Sequence, residues 1–186
     1  MKKGANMKIL INILIVCFLA INLQAVSYIY IEEGVKLPLP KQGITLYGGT
    51  PVDIISSKKD SVKVKLSGFV DKKNLYATKN LLLLLASVED KKSINISGDK
   101  GVVEAEVPKE FITDDMEEAW ENGSDLFYDK CTKCHHAKII EHHDMLTWGA
   151  LFGSMSPKAK TSKSQNELIL RFLRAFAKDG ILKESE

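Results

Sequence analysis

The sequence is short of charge imbalance, of cysteine and of repetition, and each shortage removes a class of function. Lys and Arg number 26 against 24 Asp and Glu, a formal net charge of +2. No long basic run accompanies it, so a nucleic-acid partner is not indicated. Three cysteines in 186 residues leave one closely spaced pair and no second. No internal repeat and no low-complexity segment is present, which excludes a solenoid and a repetitive linker. What is there, 45 % hydrophobic and 27 % charged residues, is the balance of a soluble globular chain. The length suits one ordinary domain or two small ones.

Residues 1–27 read as an export segment. Lys2, Lys3 and Lys8 precede ILINILIVCFLAINL, an apolar run interrupted only by Asn12 and Asn22. Cleavage after Ala25 or Ser27 makes it a signal peptide. Without cleavage the stretch continues to Ile31, about 23 residues, enough to anchor the chain in a bilayer with its lysines in the cytoplasm. Cys17 follows bulky Val16 and is no lipid-attachment site. Both alternatives place the remainder outside the cytoplasm. Loss of residues 1–25 would leave 23 Lys and Arg against 24 acids.

Two regimes follow. From residue 40 to about 107 the chain is rich in Val, Ile and Leu, and ITLYGGTPVDII, SVKVKL, SGFV, LLLLLASV, SINIS and GVVEAEV each read as strands. Gly48-Gly49, Ser67-Gly68 and Gly98-Asp99 punctuate them. The order GTPVDII, DSVKVKL, SGFV resembles a bacterial SH3-like domain over residues 43–76. That resemblance implies a small barrel, here 36–107, acting as a spacer or docking module without chemistry. VPKEFITDD then reads as a hinge.

From Thr113 onward the pattern is helical. TDDMEEAWENGSDLFYDKC opens with a Thr or Asp cap and acids in its first turn. Met116, Trp120, Gly123 and Phe127 recur along one face, and Gly123 lets the last helix approach the first. A shorter helix is expected within HDMLTWGALF, residues 144–153. SQNELILRFLRAFAKDG has Ser164 and Glu167 as a capping box, with Leu168, Phe172, Leu173 and Phe176 as its apolar stripe. Gly180 marks its stop. The fold expected is α+β: an export or anchor segment, a small all-β domain and an all-α domain over 113–186.

The chemistry lies in DKCTKCHHAK, residues 129–138. Zinc needs two further ligands, but His142 and His143 follow Cys134 too closely and no second cysteine pair exists. A redox dithiol wants a βαβ setting, whereas helix precedes Cys131. Cys-x-x-Cys-His is the attachment signature of c-type haem. Cys131 and Cys134 would form thioethers to one macrocycle edge, and His135 would ligate iron from the proximal side. Such attachment takes place outside the cytoplasm, which the export segment satisfies. His136 reads as a surface residue.

The sixth ligand has four candidates: His142, His143, Met145 and Met155. The histidines follow His135 by seven and eight residues and would need a very tight loop. Met145 sits on a helix beside Leu146 and Trp148 and reads as core. Met155, in FGSMSPK and twenty residues beyond His135, reads as a loop ligand on the far face. Trp120, Phe127, Trp148, Leu151 and Phe152 are the residues expected to bury the macrocycle.

GSDLFYDKCTKCHH resembles the opening of small class I cytochrome c domains. TWGALFGSM followed by NELILRFLRAFA is similar to the C-terminal monohaem domain of the cytochrome c subunit that serves trimethylamine-N-oxide reductase. The resemblance covers residues 114–180. It implies a periplasmic electron carrier rather than an enzyme, with one covalent haem c bound by Cys131, Cys134, His135 and Met155. It also implies a molybdenum-containing N-oxide or S-oxide reductase as acceptor. Longer members of that family carry further haem sites, absent here, so a separate membrane electron donor is required. Two other readings stand beside it: a small-ligand sensor or enzyme with an open iron site, and a docking subunit of an oxidoreductase. Residues 130–163 hold six lysines against Glu141 and Asp144, and 114–129 hold seven acids and no base. A lysine rim around the haem edge would steer docking onto an acidic partner.

Overall fold

A computed structural model describes residues 26–182. The signal or anchor expected over 1–27 lies outside the described residues but for Val26 and Ser27. Among the described residues no helix is long and apolar enough to cross a membrane.

Ten strands form one antiparallel sheet: β1 (Ser27–Ile29), β2 (Lys36–Leu39), β3 (Ile44–Tyr47), β4 (Pro51–Ser57), β5 (Ser61–Asp71), β6 (Asn74–Tyr76), β7 (Leu84–Val88), β8 (Ile94–Ser97), β9 (Lys100–Pro108) and β10 (Ile112–Thr113). Eight follow one path, β10-β1-β4-β5-β6-β7-β3-β2, while β9 pairs with β5 and β8 with β9. The alternation in SVKVKL and VVEAEV decides the register at the centre. Val62, Val64 and Leu66 stand opposite Val107, Ala105 and Val103, and all six are buried. The intervening residues point outward and pair by charge: Lys63 with Glu104 at 2.5 Å and Lys65 with Asp53 at 3.2 Å. A one-residue slip would turn one strand's apolar face to solvent and set Lys63 and Lys65 against Val and Ala instead of glutamates.

Three helices follow. Asp115 caps α1 (Met116–Cys131), its Oδ1 accepting from the Glu117 and Glu118 amides at 2.8 and 3.4 Å. Asp144 caps α2 (Met145–Ala159) through the Thr147 amide at 2.7 Å. Ser162 and Gln165 form the capping box of α3 (Lys163–Ala175), two residues before the Ser164–Glu167 box expected. Gly123 on α1 permits close contact with α3, since a Cβ there would lie 2.8 Å from Phe172 Cβ.

The expected all-α cytochrome c domain over 113–186 is not seen, and the strands do not stand as a small SH3-like domain. The finding is a curled antiparallel sheet with three helices packed onto it. The helices do not close a core of their own: Tyr28 and Leu83 from the sheet side join Trp120, Phe127, Trp148, Phe172 and Phe176 in one buried cluster. Trp120 lies over Gly49, where a Cβ would stand 2.3 Å from its ring and where φ is +71°. Glycine is required there twice, by the turn and by the indole. Arg171 on α3 reaches into the sheet, donating to the Gly48 and Leu84 carbonyls at 2.6 and 2.5 Å and to Thr50 Oγ1 at 3.0 Å. The segment expected to be a hinge is also bound in, because β10 pairs Ile112 and Thr113 with Ile29 and Tyr28.

Candidate functional site

Cys131 is the last residue of α1, and Thr132 closes the helix, its Oγ1 donating to the Tyr128 carbonyl at 2.5 Å. Beyond it the chain leaves regular structure, and Cys134, His135 and His136 are exposed. His135 Nδ1 lies 2.8 Å from the His136 carbonyl. A carbonyl can only accept, so Nδ1 carries the proton, and in the neutral ring that leaves the lone pair on Nε2. That is the tautomer a metal-ligating imidazole needs.

Cys131 and His135 open onto a cleft whose lining also includes Phe127, Trp148, Phe152 and Met155. The space between these side chains is about 410 Å³, the open mouth included. Helical spacing assembles it. Phe127 and Cys131 are four apart on α1, and Trp148, Phe152 and Met155 fall at i, i+4 and i+7 on α2, one face of each helix. Phe127 and Trp148 meet edge to face with centroids 6.3 Å apart. The Trp148 indole donates to the Ile140 carbonyl at 2.8 Å, which pins the wall. Lys138 reaches the same cleft.

Each sequence expectation can be placed. Met155 lies in the cleft as a wall residue of α2, not on the loop expected: the helix runs through it, and Pro157 falls in its last turn. Met145 is fully buried and faces away, its sulfur 3.8 Å from Thr78 Oγ1 and 3.7 Å from Asn80 Nδ2. His143 packs edge-on to Trp148 at 5.2 Å, His142 is exposed, and neither lines the cleft. Cys134 also stands outside it. Of the five residues expected to bury a macrocycle, Phe127, Trp148 and Phe152 line the cleft, whereas Trp120 sits on the sheet and Leu151 is half-buried outside the lining. Among the described residues no three His, Cys, Asp or Glu converge as a metal site.

The Cys131 thiol, the His135 imidazole and the Met155 thioether share this aromatic-walled cleft, while Cys134 stands outside it; a thiol, an imidazole and a thioether are group types that a covalently held haem engages. Burial pushes the Cys131 thiol up from its ordinary value. Two of the six lysines are engaged locally, since Lys130 and Lys133 bridge Asp129 at 2.6 and 3.2 Å and hold that carboxyl low.

Sequence reasoning passed over Arg171. Its signal was weak but present: three residues beyond Leu168, it falls inside the arc that the apolar stripe of α3 occupies. Comparison with family models, with curated proteins and with solved structures returns no match for this chain.

Proposed function

We propose that the chain is an exported monohaem c-type electron carrier. Its haem would be attached through Cys131 and Cys134, and His135 and Met155 would hold its iron. The observation that carries this reading is the meeting of Cys131, His135 and Met155 on one apolar cleft between α1 and α2. The sequence alone joined these residues only by spacing.

Haem bound this way supplies a one-electron couple at iron, with thioether ligation favouring the ferrous form. The protein's own part is to hold and to shield. His135 presents Nε2 while its Nδ1–H is spent on the His136 carbonyl. Phe127, Trp148 and Phe152 exclude water, which preserves the charge state of whatever they surround. Exposed Cys134 and His135 leave one edge of the site open for a partner to approach. Lys138 at the cleft, with exposed Lys158, Lys160 and Lys163 on α2 and α3, favours an acidic partner face. By resemblance the acceptor is a molybdenum-containing N-oxide or S-oxide reductase of the periplasm, and a separate membrane protein is the donor.

The test is an absorption spectrum of protein matured in the periplasm. A pyridine haemochrome of the two-thioether type is expected, with a methionine charge-transfer band in the ferric protein that Met155→Ala removes. Colourless protein with free thiols at Cys131 and Cys134 would falsify the proposal. Rapid carbon monoxide binding by the unaltered ferrous protein would replace the carrier with a ligand-binding site.

A further inference from the structure

Ile54 and Ile55, two adjacent residues of β4, are 42 % and 47 % exposed, and Val26 beside them is 52 % exposed. Large apolar side chains are individually unremarkable at a surface; two in succession, with a third just before the Ser27↔Val52 pair, are not. Their exposure has a local cause. β1 pairs with β4 only at Ser27↔Val52 and Tyr28↔Pro51, so the outer edge of β4 beyond Val52 has no strand partner among the described residues. A register shift between Ile54 and Ser56 in the pairing with β5 then leaves Ile55 unpaired.

The same register gives the direction from which the chain arrives. β1 and β4 are antiparallel, so the chain entering Ser27 comes from alongside the exposed half of β4. The apolar run ends at Leu23, and three residues, Gln24 to Val26, separate it from β1. At roughly 3.3 Å per residue three residues can reach no further than about 10 Å. A bilayer holding the run therefore lies within about 10 Å of the start of β1, which pairs with β4.

We propose that the outer edge of β4, with Val26, rests on the lipid surface of that bilayer. Ile54, Ile55 and Val26 enter the interface, while Lys59 in the adjoining turn and Lys109, whose amide donates to the Asp60 carbonyl of that turn at 3.2 Å, meet lipid phosphates. Both lysines are exposed, and Ser61 of the turn pairs with Pro108 beside Lys109. The bulge that leaves Ile55 out of the pairing with β5 is then the feature that presents it to lipid. This inference rests on the reading that the N-terminal run is retained as an anchor.

The experiment uses the full chain in vesicles of phosphatidylethanolamine and phosphatidylglycerol, with photoreactive p-benzoylphenylalanine replacing Ile55 in one variant and Ile96 in another. Ile96 is a fair control, being 39 % exposed on β8 opposite Gly101, toward the far end of β5. The chain should float with the vesicles, and illumination should give lipid adducts several-fold more at position 55 than at 96. The same substitution at Ile54 serves if the first variant does not fold. Flotation with equal adducts, with none, or with a crosslinked dimer of the chain overturns the β4 surface and leaves the anchor standing. Failure to float overturns both.

Discussion

Arg171 is a buried cation with no carboxylate in ion-pair contact among the described residues. Burial pushes its guanidinium down to about 9, so it remains charged at neutral pH. Three donors meet two carbonyls and a hydroxyl, and the plane stands 5.5 Å from the Tyr47 ring and 5.7 Å from Trp120. Removing it orphans three acceptors at once. Arg171→Leu should lower the unfolding free energy by about 3 kcal/mol or more in urea titration. Arg171→Lys should recover little, because a point charge cannot span the three sites. Cys131 offers a second residue-scale test in protein made without haem. Its thiol is disfavoured as thiolate by burial while Cys134 is exposed. Alkylation of Cys131 should therefore lag that of Cys134, and its rate should rise at a higher pH than for an ordinary thiol. Equal rates across the pH range would refute the buried placement.

At the scale of elements, two glycines on helices separate packing from propensity. Gly123 abuts Phe172 Cβ and the Leu168 carbonyl at 2.8 and 3.2 Å from an added Cβ, whereas Gly153 on α2 has nothing within 4 Å. Gly123→Ala should cost about 1–3 kcal/mol by forcing α1 from α3. Gly153→Ala should be neutral or stabilising by up to about 1 kcal/mol. Thermal melts of the pair decide it. Gly123 was legible from its place in the apolar face of α1, as were the strands SVKVKL and VVEAEV from their alternation. Strands β1, β2, β6 and β10 were not, being two to four residues long and dependent on partners distant in sequence. The run LLLLLASV became a strand only from Leu84, because Leu81 takes a left-handed φ of +58° and Leu82 and Leu83 turn toward the helices. At the site, CTKCH was visible as spacing. Met155 lines the cleft from within α2, not from the loop that Gly153 and Pro157 suggested, because a glycine is tolerated in a helix and a proline in its last turn.

The whole molecule joins sheet and helices through helix side chains that reach the backbone on the sheet side, and that joint is what a two-domain reading of composition could not contain. Residues 113–186 made alone would leave Trp120 without its seat and Arg171 without its acceptors. That fragment should lack the near-ultraviolet circular dichroism of packed aromatics, and the intact chain should melt in one transition seen alike by sheet and helix probes. Two resolved transitions would count against the single body. The junction narrows to three consecutive residues. Gly48 and Thr50 receive Arg171, Gly49 carries Trp120, and the amide of Gly49 donates to Ile29 at 2.7 Å. A tight turn between strands is ordinarily where protein engineers splice tags, foreign epitopes and new termini with least harm. Here the bend between β3 and β4 is a keystone, and any such graft at 48–50 would unseat the helical layer with it.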